Sequence, residues 1–371
     1  MTNFTDELTL RSGIKLTNRL VLPPMTVVLS FHDGIVTQEE IAHYAQHSAG
    51  MGMVITGTAN VTDNGKGWPG ELTIATDEAI PRLADLATAI QSQGAKAILQ
   101  IFHAGRMTSA QTIGEQPVSA SGFAAELPNA EIPRELEEAE ILQIIEAFGQ
   151  ATRRAIEAGF DGVEIHGANM YLIHQFFSPH SNRRTDKWGG SLEKRMAFPL
   201  AVAERVFDEV KKAERPFAVG YRFSPVEGTT PGIQLDDTFR LLIQLKKLPL
   251  DYLHVSLKDY RRKSNSLDFQ EKSELAYLYD SINGEIPLIG VGGARDRKAV
   301  EGILEHADLV GIGQQMLVDP EFAVKLLENR DAEFVTKSFG EAIYDLPMPH
   351  PMFKYLDKRY NRVPAKQNVV Q

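Results

Sequence analysis

The chain contains no cysteine. That absence removes disulfides, thiolate nucleophiles, iron–sulfur clusters and cysteine-ligated zinc together. No apolar run approaches the ~18 residues that a membrane-spanning helix needs. The opening stretch MTNFTDELTL has neither the basic segment nor the apolar one of a secretory signal. Positive charge is in the minority. The 39 Lys and Arg against 49 Asp and Glu leave a net charge of −10, with no sustained basic face for nucleic acid or anionic lipid. Low-complexity linkers and fine-scale repeats are missing too. The exclusions point to a soluble, cytoplasmic protein that acts on small molecules, with no nucleic-acid or membrane partner. They leave open whether it is a monomer or a homo-oligomer.

What is present is a long chain with ample apolar material, 371 residues of which 43% are hydrophobic. Apolar strand candidates fall at 19–22, 53–56, 97–101, 162–166, 218–223, 252–256, 287–290 and 309–312. Each is followed by a segment of helical period, at 38–49, 77–93, 134–157, 191–212, 235–247, 270–282, 295–305 and 320–329. The third is the clearest: Ile141, Ile144, Ile145, Phe148, Thr152, Ala155 and Ile156 keep one stripe until Gly159. Eight strand–helix pairs in series predict an α/β fold, a (β/α)8 TIM barrel, as a single domain over 1–371. Residues 4–16 alternate around Ser12-Gly13 and read as an N-terminal β-hairpin covering the barrel floor. Two connections, 103–133 and 167–190, far exceed the ~2–6 residues usual for such loops. The first reads as a capping loop after strand 3. The tail after Arg330 ends in a polar stretch expected to be mobile.

In this class of barrel, chemistry gathers at the C-terminal ends of the strands. His166 stands at such an end, with Asn169 and Tyr171 in the loop beyond. His and Asn can donate to one oxygen, and a phenol, with an ordinary pKa of ~10, can deliver a proton while neutral. The same three would also serve as a strand cap. Glu164 shares the inward phase of His166 and needs a partner, for which Arg222 on the next strand is the candidate. Either the two form a buried ion pair that orders the barrel, or Arg222 faces an anionic or carbonyl-rich ligand with Glu164 behind it. Glycines after strands 7 and 8, Gly292 with Gly293 and Gly313 before Gln314, suit a phosphate held by backbone N–H groups, as well as plain tight turns. Gln100 could read a heterocycle edge. Thr26, after Pro24 and Met25, adds a hydroxyl. Lys258, Arg261, Arg262 and Lys263 form a basic cluster after strand 6, a solvated loop or a second phosphate contact.

Taken together, Asn18-Arg19, Pro24-Met25, Gln100 with His103-Ala-Gly-Arg106, Ala158-Gly-Phe-Asp-Gly-Val-Glu-Ile-His166 and Asn182-Arg-Arg-Thr-Asp186 with Gly189-Gly-Ser191 resemble the old yellow enzyme family of flavin oxidoreductases. The likeness runs from about residue 8 to 320. It implies FMN held non-covalently at the C-terminal face of the barrel, reduced by NADH or NADPH and reoxidised by an electron-poor alkene, with quinones and nitro compounds as further acceptors. By the same resemblance His166 and Asn169 bind the substrate carbonyl and Tyr171 is the proton donor. Thr26 lies near flavin O4. Pro24, Met25, Gly57 and Gln100 touch the flavin ring, Arg222 faces N1 and O2, and Gly292, Gly293, Gly313 and Gln314 surround the phosphate. The chain departs from the pattern at Gln314, where Arg is usual, which removes one charge-assisted phosphate bond that Arg295 could replace. Met170 stands where Gly is common, and Trp188 and Lys194 where Tyr and Asn are. The expected activity is reduction of activated C=C bonds in α,β-unsaturated carbonyl compounds. The alternatives are a flavin-free phosphosugar lyase or aldolase on the same barrel, or a catalytically silent FMN-binding protein.

Overall fold

The structure, a computed structural model, describes residues 2–346 and 349–360. Eight parallel strands form one closed sheet: β1 (Leu20–Leu22), β2 (Met53–Asn60), β3 (Lys96–Phe102), β4 (Gly162–Gly167), β5 (Ala218–Phe223), β6 (Tyr252–Val255), β7 (Leu288–Val291) and β8 (Leu309–Gly311). Each is bonded to its sequence neighbour, and β8 pairs with β1 to close the ring. Both faces of these strands are covered, which is why they read as continuous apolar runs. The expected (β/α)8 barrel is the one observed.

The covering helices are α1 (Gln38–Ser48), α2 (Ile80–Gln91), α3 (Glu138–Glu157), α4 (Ala197–Val210), α5 (Leu235–Leu245), α6 (Glu274–Ile282), α7 (Arg297–Leu304) and α8 (Phe322–Leu327). Local chemistry sets their ends. Thr37 caps α1 by accepting from the Glu40 N–H, and Asp296 caps α7 by accepting from Ala299. A reciprocal Glu137–Glu140 capping box starts α3. This helix begins four residues later than its periodicity suggests, because Arg134–Glu135 is drawn into a short parallel pair with Val118–Ser119. The segment expected as one helix over 191–212 is two, Leu192–Arg195 and α4, meeting at Met196. Two further helices, Leu172–Phe177 and Gln314–Val318, are too short to show a period and went unforeseen. The tail folds as Phe339–Ala342 and His350–Tyr360, and the polar end of it, 361–371, lies outside the described residues.

At the N-terminal end of the barrel, Leu8–Thr9 and Lys15–Leu16 pair antiparallel, as the hairpin reading expects. Leu10, Ile14 and Leu16 pack against Val21, Met53, Ile98, Ala218, Tyr252 and Leu309 and so close the floor. The buried carboxylate of Asp251 holds this plug. One oxygen accepts from the Ser12 N–H at 2.7 Å in the hairpin, and the other from Val219 N–H at 2.8 Å at the start of β5. Asp251→Ala strands two backbone donors, each worth ~1–3 kcal/mol when buried without a partner. It should lower the unfolding free energy by about 2–4 kcal/mol, read as a fall in the urea midpoint.

Candidate active site

Opposite the plug, the C-terminal strand ends converge. Beyond β1, Pro23 and Met25 pack against Gly313 beyond β8, and the Met25 carbonyl approaches Gly57 of β2. The register of β2 on β3 shifts between Ile55 and Thr58, so the chain bulges at Gly57. A Cβ there would lie 2.9 Å from the Met25 oxygen, which requires glycine at this position. The Gly57 N–H is held by the Tyr44 hydroxyl at 2.5 Å. Pro24 is buried, and Met25 and Thr26 are half-buried on the same rim. The expected ring contacts Pro24, Met25, Thr26 and Gly57 thus share one edge of the barrel mouth.

His166 occupies the end of β4, almost wholly buried. The Ala168 N–H donates to its Nδ1 at 3.2 Å, so the ring proton resides on Nε2. Burial, aided by the nearby Arg222 guanidinium, holds its pKa well below the ordinary histidine value. The ring is therefore a neutral, oriented donor. Asn169 and Met170 follow with φ of 58° and 67°, and the Tyr171 N–H returns to the Ala168 carbonyl at 3.2 Å. That is a turn of type I′ kind, which favours Asn then Gly. Met170, in the glycine position, sits in the left-handed region at a cost of about 1–2 kcal/mol. The Asn169 amide oxygen accepts from the Ser256 hydroxyl at 2.8 Å, which leaves its NH2 as the outward donor. The Tyr171 ring stands edge-on to His166 at 5.0 Å and to Phe102 at 4.9 Å, with the Trp68 ring 6.4 Å away. His166, Asn169 and Tyr171 are brought together at one rim.

Glu164 corrects an expectation. It does not pair with Arg222. In the β4–β5 register Glu164 lies beside Gly220 and Arg222 beside His166, one layer higher. The Glu164 carboxylate instead accepts from Gln100 Nε2 at 2.6 Å and contacts His254 Nδ1 at 2.9 Å, with Glu164 and His254 fully buried. Arg222 is more than nine-tenths buried. Among the described residues its Nε has no partner, and Nη2 reaches only the Ser256 hydroxyl, at 3.5 Å. Burial draws its pKa down and the field of Glu164 supports it. A guanidinium so poorly satisfied in a barrel mouth is fitted to an anionic or carbonyl-rich ligand. Gln100 has one amide hydrogen committed to Glu164, and its oxygen makes no hydrogen bond among the described residues.

After β7, Gly292 has φ 116°, and a Cβ there would lie 2.8 Å from the Tyr260 nitrogen. The Tyr260 N–H in turn donates to the Gly292 carbonyl, joining the loops after β6 and β7. Gly293 is exposed with open space around it. Gly313 leads directly into the helix that starts at Gln314. Arg295 is exposed and lies before α7, not within it. In the basic cluster, Arg261 is paired with Asp259 and Arg262 with Glu274.

Sequence reasoning missed the residue that holds the turn from Ala168 to Tyr171 in place. Gln175, in the short helix after Tyr171, is fully buried and makes four hydrogen bonds. Nε2 donates to the Met170 carbonyl at 2.6 Å and to Ala104 at 3.0 Å, while Oε1 accepts from Arg106 N–H at 3.2 Å and Ser119 Oγ at 2.9 Å. One amide thereby joins the capping loop to the turn that carries Asn169 and Tyr171. His174, one position before it, meets Glu227 from the loop after β5 at 2.8 Å. The only signal was the polar pair His174-Gln175 inside the otherwise apolar stretch Leu172–Phe177. The motif residues Asn182 and Arg184 are likewise scaffolding. Asn182 Nδ2 donates to Phe176 and Trp188 carbonyls, and Arg184 donates to those of Ala120 and Leu136.

A family model described as the NADH:flavin oxidoreductase / NADH oxidase family matches residues 7–333. The NADH:acrylate oxidoreductase of Vibrio harveyi is 47% identical over 368 residues, covering 96% of this chain and 36% of that protein. The probable NADH-dependent flavin oxidoreductase YqiG of Bacillus subtilis is 42% identical, covering 96% of each. The NADH:fumarate oxidoreductase of Klebsiella pneumoniae is 41% identical over 94% of this chain and 38% of that protein. The chain thus spans little more than a third of the Vibrio and Klebsiella proteins. Among solved structures, morphinone reductase in complex with tetrahydroNAD matches with a TM-score of 0.76 at 26% identity, covering 89% of this chain and 91% of that one.

Two outcomes follow from this geometry. Imidazole NMR should show His166 still neutral through the ordinary histidine titration range around pH 6.5, since burial and Arg222 hold its pKa well below that value; a ring that titrates near the ordinary histidine value would refute the assignment. Gln175→Leu leaves four buried groups unpaired and should destabilise the protein by about 3–5 kcal/mol in chemical denaturation.

Proposed function

The chain belongs to the NADH:flavin oxidoreductase / NADH oxidase family, the FMN- and NAD(P)H-dependent old yellow enzymes, and we propose that it reduces activated C=C bonds of α,β-unsaturated carbonyl compounds. The observation that carries the reading is the pair of oriented donors at one rim. His166 Nε2–H and the Asn169 NH2 are fixed by their other hydrogen bonds, beside the Tyr171 ring.

The residues present fit FMN. The under-satisfied Arg222 suits the electron-rich edge of the ring, and the glycine-rich backbone at Gly292, Gly293 and Gly313, ahead of Gln314 and with open space at Gly293, suits its phosphate. Pro24, Met25, Thr26, Gly57 and Gln100 would line the ring. When bound, FMN carries hydride from NAD(P)H to the acceptor. The chain's own part is position and field. His166 and Asn169 hold the carbonyl oxygen and stabilise charge that develops on it, without a proton leaving either. Tyr171 delivers its phenolic proton to the α-carbon. Phe102 and Trp68 screen that step from water. Acrylate and fumarate, named for the two longer relatives, are electron-poor alkenes of the same class. No lysine stands at the C-terminal end of any barrel strand, where a Schiff-base lyase would carry its nucleophile.

Tyr171→Phe separates the two half-reactions. Stopped-flow should show flavin bleaching by NAD(P)H within about twofold of the parent, and reoxidation by cyclohexenone slowed by roughly 10²–10⁴. Equal losses in both would remove Tyr171 as the proton donor. A purified protein that takes up no FMN would remove the flavin reading altogether.

A further inference from the structure

A cavity of about 810 Å³ lies beside the barrel mouth. Its walls come from the loop after β1, the first turn of α1, the loop at Trp68–Gly70 and the C-terminal helix His350–Tyr360. Trp68 is common to this cavity and to the catalytic rim, since its ring also lies 6.4 Å from that of Tyr171. The cavity and the rim thus share one wall, the Trp68 indole.

The walls are preformed. The buried Glu71 carboxylate accepts from the Gly67 and Trp68 N–H groups at 2.6 and 3.2 Å and pins the indole loop. Lys66 Nζ donates to the His32 carbonyl at 2.5 Å, bracing that loop against the one after β1. The Ser30 hydroxyl donates to Glu40 at 2.5 Å, and that of Thr37 to the Leu29 carbonyl at 2.6 Å. These hydroxyls are spent, so the lining is mainly the flat apolar surface of Trp68, Tyr355 and three prolines, Pro69, Pro349 and Pro351. Among the described residues no Lys or Arg lines it, and the one carboxylate that does is Glu39, exposed in the first turn of α1.

Flat apolar walls accept a planar heteroaromatic ring by stacking. A carboxylate accepts hydrogen bonds from sugar hydroxyls and repels a phosphate in their place. The reductant has such a part at the end remote from its nicotinamide. We propose that this cavity takes the adenosine half of the dinucleotide, with Tyr355 against the adenine and Glu39 at the ribose hydroxyls, and that Glu39 makes NADH the better reductant than NADPH. This rests on the flavin oxidoreductase reading above. The nicotinamide then lies over the flavin at the rim, and the diphosphate crosses the opening toward solvent.

The test is stopped-flow bleaching of the FMN-loaded protein by NADH, by NADPH and by 1-benzyl-1,4-dihydronicotinamide, which lacks the adenosine half. Tyr355→Ala should weaken the apparent Kd for NADH roughly tenfold, the scale of one lost base–aromatic stack. Glu39→Lys, on the exposed surface, should move the NADPH-to-NADH preference roughly tenfold toward NADPH. Neither should change bleaching by the benzyl compound. The proposal is overturned if both variants bind NADH and NADPH as the parent does, or if the benzyl compound is affected to the same degree. A parent protein whose flavin none of the three bleaches overturns the underlying reading and the proposal with it.

Discussion

A carboxylate shut away from water governs the interior of this barrel. Glu164 cannot remain charged there without donors, and it takes them from Gln100 on β3 and His254 on β6. Three strands are tied together at that depth. The layer above is different in kind. Arg222, beside His166, has been passed over by the anion nearest to it and keeps its charge largely unspent. Had the carboxylate stood one layer higher, the guanidinium would be quenched by its own chain. The lower layer satisfies itself, and the upper one is completed by what binds.

The rim that carries His166, Asn169 and Tyr171 depends on a second device, a strained turn held by a rigid amide. Two successive left-handed residues aim Asn169 and Tyr171, and the second is methionine, which gains nothing from that conformation. Gln175 offsets the strain through the Met170 carbonyl and carries the same tension into the capping loop through Ala104 and Arg106. The side chains proposed to touch a substrate are thus oriented by groups set back from the rim.

Much of this was legible beforehand, and the failures have a common cause. All eight strands were found within a few residues, because fully covered strands are unbroken apolar runs between turn residues. The clustering of His166, Asn169 and Tyr171 followed from their place after a strand end. What linear reading could not supply was stagger. Neighbouring barrel strands are shifted along one another, so counting two residues back from His166 does not bring Glu164 level with Arg222. Period-based reading also needs length, and Leu172–Phe177 has under two turns. Its glutamine was therefore invisible as a brace. The orientation of the Asn169 amide, set by Ser256 just beyond β6 and 87 residues away, has no local signature at all.

The hairpin plug carries a consequence for traffic. With Leu10, Ile14 and Leu16 sealing one end of the barrel, everything that reacts must arrive and depart through the other. On the function proposed above, electron donor and electron acceptor share that doorway and so cannot be inside together. Turnover becomes a matter of taking turns, with the reducing equivalents left behind between visits. An acceptor in large excess then obstructs its own reduction by standing where the donor must enter.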